Sequence, residues 1–226
     1  MSESEPRETV VEAVRDGVQP ARAPTGEDPI SGYFVAQARR PSELRDVDVA
    51  ALTPYHRALL VNDGTVTRLI EAFVLEPLSV DVLDQRAMEG DDQTDSWLDK
   101  PAAADSIVRR RVAIHGCESG RLYALAESLL VTSRLPRAFA SSLLDDPKGL
   151  GETVGQKRLE TRRELLWFGY AIAPDRANQP ATQPPLLTRS YRIIIGGTPA
   201  ILITENFPLA DPTEVRRVRK LRRPWS

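Results

Sequence analysis

The chain has 226 residues, 41% of them hydrophobic, and a formal net charge of −2, a composition that suits one folded domain with polar extensions. No run approaches the roughly 18 apolar residues of a membrane-spanning helix, and the acidic start MSESEPRE lacks the features of a secretory signal. The single cysteine excludes an internal disulfide framework and, with two histidines, leaves no zinc set, so we expect a cytoplasmic protein without a bound metal.

The two ends of the chain differ from its middle in composition. Residues 1–40 are rich in Glu, Ser, Pro, Gly and Arg, which predicts a disordered N-terminal extension. From residue 213 onward, six basic residues accompany one acid, and a short basic run without interleaved aromatic residues is typical of a solvated tail. Residues 41–212 are therefore predicted to form one domain, with no nucleic-acid or membrane partner.

Helical signals open this domain. Thr53-Pro54 presents an N-cap followed by proline in the first turn, which predicts a helix over TPYHRALL that ends at residues 62–64. A second helix is predicted from Thr65 to the residues before Pro77. Its apolar residues recur at helical spacing and predict one buried stripe of Val66, Leu69, Ile70 and Phe73.

Alternating segments follow and predict three strands. The first covers residues 78–85, and the acidic, turn-rich residues 86–105 after it are predicted to be a surface loop or a mobile flap. In the second, residues 107–115, Arg110 shares a face with apolar residues, namely Val108, Val112 and Ile114. In the third, residues 121–131, Glu127 shares a face with Tyr123, Leu125, Leu129 and Val131.

The last part of the domain is predicted to hold two helices and a hairpin. The helices cover residues 136–144 and 152–172, the second with a long amphipathic pattern. Two strands then flank Gly196-Gly197, and the period of two places Glu205 on the face of Ile201, Ile203 and Phe207. This order has few crossovers of the βαβ type, so the predicted fold is a single α+β domain with a mostly antiparallel sheet.

Three charged residues, Arg110, Glu127 and Glu205, thus lie on apolar faces. A buried carboxylate must be paired, hydrogen-bonded or neutralised, unless Glu205 belongs to an edge strand and reaches solvent. A buried ion pair of Arg110 with Glu205 or Glu127 is one interpretation. The other is a pocket for a small, flat, anionic ligand, in which the arginine binds a carboxylate and a glutamate accepts from a hydroxyl. The residues alone leave these alternatives open.

Other chemistries find less support in the sequence. It contains no phosphate-binding glycine motif and no G-x-S-x-G nucleophile motif, and its two histidines lie far apart in the chain. Cys117 lies in a turn beside Glu118, which disfavours a reactive thiolate.

Several runs of the sequence resemble the chorismate pyruvate-lyases, especially their branch in actinobacteria and archaea. The runs occur in family order between about residues 50 and 209, and the D/N-G-T-x-T-R motif combined with the C-terminal G-G-x-P-x-x-x-x-T-E motif is specific. They are NDGTVTRLIEAF (62–73), SVDVLDQR (79–86), RRRVAIHG (109–116), YALAESLLVTSRLP (123–136), KGLGE (148–152), LETRREL (159–165) and RSYRIIIGGTPAILITENFP (189–208).

The resemblance implies a fold, a reaction and a set of site residues. Family members are single α+β domains with a ligand cavity closed by helical flaps, and they split chorismate into 4-hydroxybenzoate and pyruvate without a cofactor. By position, Arg110 corresponds to the arginine that binds the carboxylate and Glu205 to the glutamate that bonds the ring hydroxyl. Backbone groups near Val82 and Leu150 correspond to further product contacts.

The resemblance also has departures and alternatives. Ubiquinone-pathway members carry a basic residue where this chain has Glu127, which predicts different electrostatics if Glu127 is in the pocket. If Glu205 is buried, its pKa is expected to rise, which would let it donate a proton near neutral pH. A related lyase, dehydratase or cyclase on the same scaffold and a non-catalytic sensor are the alternative functions, although no helix-turn-helix precedes the domain.

Overall fold

The computed structural model describes residues 28–102, 104–137, 140, 161–171, 185–210 and 212. The helices in these ranges are α1 (Pro54–Val61), α2 (Val66–Val74) and α3 (Asp92–Trp97). The strands are β1 (Leu78–Met88), β2 (Ile107–Gly116), β3 (Leu122–Val131), β4 (Thr161–Ala171), β5 (Leu186–Ile195) and β6 (Thr198–Pro208). Predictions for residues 1–27, 138–139, 141–160, 172–184, 211 and 213–226 fall outside the described residues.

The six strands form one antiparallel sheet in the order β1-β2-β3-β6-β5-β4. The predicted C-terminal hairpin is confirmed, and its second strand, β6, lies between β5 and β3. Gly196 and Gly197 form its turn with φ angles of 57° and 83°, which glycine adopts without steric cost. The predicted α+β fold with a mostly antiparallel sheet is therefore confirmed.

The first two helices begin where the sequence predicts. The Thr53 hydroxyl accepts a hydrogen bond from the His56 backbone N–H at 3.3 Å and caps α1, and Leu75, with φ 57°, ends α2. Val66 and Ile70 of the predicted stripe are buried and Leu69 is partly buried, but Val74 is buried whereas Phe73 is 44% exposed. The Phe73 ring instead contacts the ring of Tyr55, with centroids 4.5 Å apart.

The predicted helix over residues 152–172 is wrong where the structure describes it, since Thr161–Ala171 is strand β4. The apolar run Leu165, Leu166, Trp167 and Phe168 hides the period of two. The register with β5 shifts between Leu165 and Trp167, so a β-bulge places consecutive apolar side chains in the interior. A short apolar run of this kind does not distinguish a buried strand from a helix.

The segment after β1 is also more ordered than predicted. Strand β1 continues to Met88, and the acidic residues that follow include α3 rather than a loop alone. Asp91 caps α3 by accepting from the Thr94 N–H at 2.9 Å, while the Thr94 hydroxyl accepts from the Asp91 N–H at 2.7 Å. Leu98, directly after this helix, is fully buried and anchors the segment to the sheet.

Apolar side chains cover both faces of the sheet. The helix face, on which α1 and α2 pack, carries the larger core with Leu59, Leu60, Ile70, Tyr191, Ile201 and Ile203. The opposite face carries a smaller cluster of Leu98, Leu129, Val131, Leu166, Trp167 and Leu202, against which Trp97 packs. A charged side chain on the helix face is consequently enclosed between the sheet and two helices.

Part of the predicted N-terminal extension packs on the edge strand β4. The backbone N–H groups of Val35 and Ala36 donate to the carbonyls of Leu165 and Leu166 at 3.0 and 2.9 Å, which covers the edge. Phe34 is 6% exposed, and its ring lies 4.7 Å from that of Phe168. The domain division at residue 41 remains a prediction, and these contacts lead us to propose that residues 34–36 also belong to the folded unit.

Candidate active site

A cavity on the helix face of the sheet contains the two charged residues that the sequence singles out. Arg110 and Glu205 both line it and are 1% and 3% exposed. The other lining residues are mostly apolar or small: Thr65, Val66, Thr67, Val80, Val112, Ile114, Ala126, Ser128, Arg163, Tyr191, Ile193 and Ile203. The alternative in which Glu205 reaches solvent from an edge strand is therefore wrong.

Strand register explains how Arg110 and Glu205 come together. Arg110 lies opposite Ser128 on β3, and Glu205 lies opposite Ala126 on the same strand. Because directly opposite residues in an antiparallel pair share a face, both side chains project to the helix face. The strand phase that alternation predicts for Arg110 and Glu205 is confirmed.

The ion-pair partner of Glu205 is Arg189, a residue that the sequence analysis missed. Arg189 is fully buried, and its Nε donates to Glu205 Oε2 at 2.8 Å, with Nη2 also 2.8 Å from that oxygen. The Arg189 Nη1 donates to the carbonyls of Leu60 and Asn62 at 3.1 and 2.7 Å, at the end of α1. Alternation along β5 with Leu187, Tyr191 and Ile193 was the signal that could have revealed Arg189.

Tyr191 completes the hydrogen bonding of this carboxylate. Its hydroxyl donates to Glu205 Oε1 at 3.1 Å, and burial, followed by the charge of Glu205, strongly raises the pKa of Tyr191. Tyr191 therefore remains a hydroxyl donor at neutral pH. Since both oxygens of Glu205 act as acceptors, the contacts are those of an ionised carboxylate, and they do not support the expected role as a proton donor.

Glu127 lies on the opposite face of the sheet. It is opposite Arg111 in the register, and the Arg111 Nε is 3.8 Å from Glu127 Oε2, with both side chains about half exposed. Its alternation with Leu129 and Val131 was read correctly, but that face is not the face of Arg110. Tyr123, predicted on the face of Glu127, instead belongs to the helix-face core, because the register of β3 with β2 shifts beside it. The structure thus does not bring Glu127 together with Arg110 and Glu205.

Of the two residues predicted to contact the product through their backbone, Val82 lies in the described part of the chain. Val82 lies opposite Val112 on β2, next to a lining residue of the cavity, and its side chain is 38% exposed on the edge strand β1. Leu150, in the KGLGE run, lies outside the described residues.

A further arginine, Arg163, lines the cavity and was also missed by the sequence analysis. It lies on β4 opposite Ile193, and one of its terminal nitrogens donates to the carbonyl of Asp63. Its guanidinium is 5.8 Å from the centre of the Tyr191 ring. A helix was expected over residues 152–172, so the strand alternation that would have placed Arg163 on a sheet face was not examined in that segment.

Neither a metal site nor a membrane span is found in the part of the chain that the structure describes. Within it, no three His, Cys, Asp or Glu side chains are grouped so as to hold a metal ion. None of the described helices has the length and apolar character needed to cross a bilayer.

Comparison with known proteins agrees with the resemblance seen in the sequence. The family model described as "Chorismate pyruvate-lyase Rv2949c-like" matches residues 60–214. The chorismate pyruvate-lyase of Mycobacterium leprae (strain TN) is 30% identical over 163 residues, covering 67% of this chain and 72% of the relative. That of Mycobacterium tuberculosis (strain H37Rv) is 26% identical over 177 residues, covering 73% of this chain and 84% of the relative.

One solved structure shares the fold of this chain. The crystal structure of PhnF from Mycobacterium smegmatis superposes with a TM-score of 0.50 at 12% sequence identity. The match covers 66% of this chain and 65% of that chain. At this identity the likeness concerns the arrangement of the sheet and helices.

Proposed function

Because this chain belongs to the Rv2949c-like chorismate pyruvate-lyase family, we propose that it cleaves chorismate to 4-hydroxybenzoate and pyruvate in the cavity of Arg110 and Glu205. The observation that carries the proposal is the placement of the buried Arg110 and Glu205 in the same largely apolar cavity. Such a cavity matches a flat ring with a carboxylate at one end and a hydroxyl at the other.

The reaction is an elimination that aromatises the ring. The proton on C4 leaves, the electrons of the C4–H bond form the C3–C4 double bond, and the C3–O bond to the enolpyruvyl group breaks. The enolpyruvate then takes a proton on its methylene carbon and becomes pyruvate. Since aromatisation favours the products, the protein contributes mainly by orienting the substrate and excluding water.

Arg110 is proposed to bind the ring carboxylate. Its guanidinium offers two parallel N–H donors to a carboxylate, and Val112 and Ile114 on the same strand provide apolar contacts for the ring. This contact fixes one end of the ring and thereby determines which ring carbon faces Glu205.

Glu205 is proposed to act at C4. An ionised carboxylate beside the C4 hydroxyl accepts its hydrogen bond and lies next to the C4 proton that must leave, which suits a general base. Arg189 and Tyr191 fix both oxygens of Glu205 and leave the remaining lone pairs for the substrate. This role replaces the proton-donor role that burial alone suggested.

The proposal extends to the setting of the enzyme. Its substrate is a small molecule. No cofactor is needed, because the elimination neither oxidises nor reduces the substrate overall and transfers no group to a carrier. A cytoplasmic location is part of the proposal, supported by the presence of a single cysteine, Cys117, in the 226 residues.

The test is incubation of the purified protein with chorismate, followed by chromatography for both products in the presence and absence of a chelator. We expect both products at the same rate under the two conditions. Consumption of chorismate to a product that retains the enolpyruvyl group would favour a related lyase or cyclase. Folded protein that leaves chorismate intact would contradict the proposal.

A further inference from the structure

The substrate proposed above carries two carboxylates, and Arg110 can bind only one of them in a bidentate way. The ring carboxylate remains on 4-hydroxybenzoate, whereas the carboxylate of the enolpyruvyl group leaves with pyruvate. A second cationic group in the same cavity would make the site selective for chorismate over a simple benzoate.

Arg163 is a second arginine that lines this cavity, and it comes from β4 at the opposite edge of the sheet. Arg110 is on β2 and Arg163 on β4, with β3, β6 and β5 between them. At about 4.8 Å per strand, their backbones are roughly 19 Å apart along the sheet. The two guanidinium groups consequently approach the cavity from opposite walls, as two separate carboxylates on one ligand require.

The charge of Arg163 is not balanced by a carboxylate among the described residues. Its neighbours on β4 and β5 are paired: Arg162 with Glu164 at 3.1 Å, Arg192 with Glu164 at 2.6 Å and Arg189 with Glu205 at 2.8 Å. Arg163 instead donates to the carbonyl of Asp63, and its buried Nε has no hydrogen-bond partner in the described ranges. A guanidinium in this condition has donor capacity and charge left for an anion.

The surroundings of Arg163 also favour an anion. Asp63, whose carbonyl it binds, precedes the start of α2, and Thr65, Val66 and Thr67 at that start line the cavity. The first backbone N–H groups of a helix carry partial positive charge and attract carboxylates. The wall formed by Arg163 and the start of α2 is therefore the second cationic wall of the cavity.

We propose that Arg163 binds the carboxylate of the enolpyruvyl group and makes the site selective for a ring that bears two carboxylates. The inference rests on the proposed function. Arg163 fixes the leaving group while the C3–O bond breaks, and it is the contact that pyruvate loses on release. Binding of 4-hydroxybenzoate, which lacks this carboxylate, does not require it.

The experiment compares two ligands on the same protein preparation. One is 4-hydroxybenzoate, with one carboxylate, and the other is 3-(1-carboxyvinyloxy)benzoate, with both. In Arg163→Gln we expect the dicarboxylate to bind about 10- to 100-fold more weakly and 4-hydroxybenzoate to change by less than about twofold, the loss of one charge-assisted contact. Arg162→Gln is the matched control, since that side chain is 67% exposed and pairs with Glu164.

The ratio of the two dissociation constants separates ligand binding from stability. Arg163 also bonds the Asp63 carbonyl, so a variant can lose folded protein, but both ligands then sense the same folded fraction. Arg163→Lys, which keeps the charge, is expected to retain most of the preference for the dicarboxylate. An unchanged ratio in Arg163→Gln would overturn the inference. Wild-type protein that binds neither ligand and leaves chorismate intact would instead overturn the proposed function.

Discussion

Glu205 shows how the surroundings of one residue determine its chemistry. The Glu205 carboxylate is 3% exposed, and Arg189 and Tyr191 supply donors to both of its oxygens. These contacts suit an acceptor or a base rather than an acid. They also join the site to the end of α1, because Arg189 binds the carbonyls of Leu60 and Asn62.

The first prediction concerns Glu205→Gln. It removes the base and is expected to lower kcat by about 10²–10⁴-fold. It also leaves the buried Arg189 without its counter-charge, which should lower the free energy of unfolding by about 3–5 kcal/mol. Turnover and thermal melting on the same preparation measure both effects.

Glu127→Gln is the control for this variant, since Glu127 lies on the opposite face of the sheet. This substitution is expected to leave turnover and the melting temperature nearly unchanged. If well-folded Glu205→Gln turned over chorismate at nearly the wild-type rate, Glu205 would have no catalytic role.

At this scale the sequence predicts some site residues and not others. Alternation identifies Arg110 and Glu205, because a charge on an apolar face of one strand is visible in the sequence itself. It does not say which faces of different strands coincide, so Glu127 could not be excluded. Arg189 follows the same rule on β5 and was overlooked, whereas Arg163 required the pairing of β4 with β5, because its segment was predicted to be a helix.

Among the elements, β4 departs most from its prediction and also carries Arg163. Its bulge between Leu165 and Trp167 shifts the phase of alternation, so the amphipathic pattern matches a helix as well as a strand. Helices α1 and α2, by contrast, have local caps and were predicted closely. Elements that begin and end at short-range sequence signals can be predicted from the sequence. The bulge of β4 depends on its pairing with β5, which the sequence of β4 alone does not show.

The second prediction concerns the link between β4, β5 and α3. Arg192 on β5 bonds Glu164 on β4 at 2.6 Å and the carbonyl of Trp97 at 3.1 Å. Burial alone would raise the pKa of Glu164, but Arg192, and then Arg162, hold it below its ordinary value of 4.5. A carboxyl group whose pKa is lower in the folded than in the unfolded protein stabilises the fold at pH values above its unfolded-state pKa. This contribution is lost as the pH falls through the folded-state pKa.

Glu164→Gln is therefore expected to lower the free energy of unfolding at pH 7 by about 0.5–1 kcal/mol, a small amount because the pair is partly solvated. The difference from wild type should be complete above pH 4.5 and should shrink as the pH falls further. Denaturant unfolding at several pH values measures it. A difference that does not depend on pH would show that the charge of Glu164 is not the cause.

The third prediction concerns the segment that covers the edge of β4. Phe34→Ala removes a buried ring that packs on Phe168 and is expected to lower the free energy of unfolding by about 3–4 kcal/mol. Tyr33→Ala is the matched control, since Tyr33 is 61% exposed and should change stability little. Equal melting temperatures for the two variants would show that Phe34 does not stabilise the domain and would support the predicted domain boundary at residue 41.

Taken as a whole, the molecule places its proposed chemistry on one face of the sheet and a second, smaller apolar cluster on the other. The class of fold followed from the order of the strands and from the C-terminal hairpin. The order β1-β2-β3-β6-β5-β4 did not, because the insertion of β6 beside β3 is a pairing of residues about 75 positions apart. The cavity of Arg110, Arg163 and Glu205 is a product of that order, since it requires β2, β6 and β4 to present one common face.

The most direct test of this account is the initial rate of pyruvate release from chorismate by wild-type protein, Arg110→Gln and Arg111→Gln. The account predicts release by wild type in equal amounts with 4-hydroxybenzoate. It predicts a fall in kcat/KM of about 30- to 150-fold in Arg110→Gln, equivalent to about 2–3 kcal/mol for a lost bidentate contact. Arg111, on the opposite face and 51% exposed, should be replaceable without loss. No pyruvate from folded wild-type protein, or equal losses in the two variants, would contradict the account.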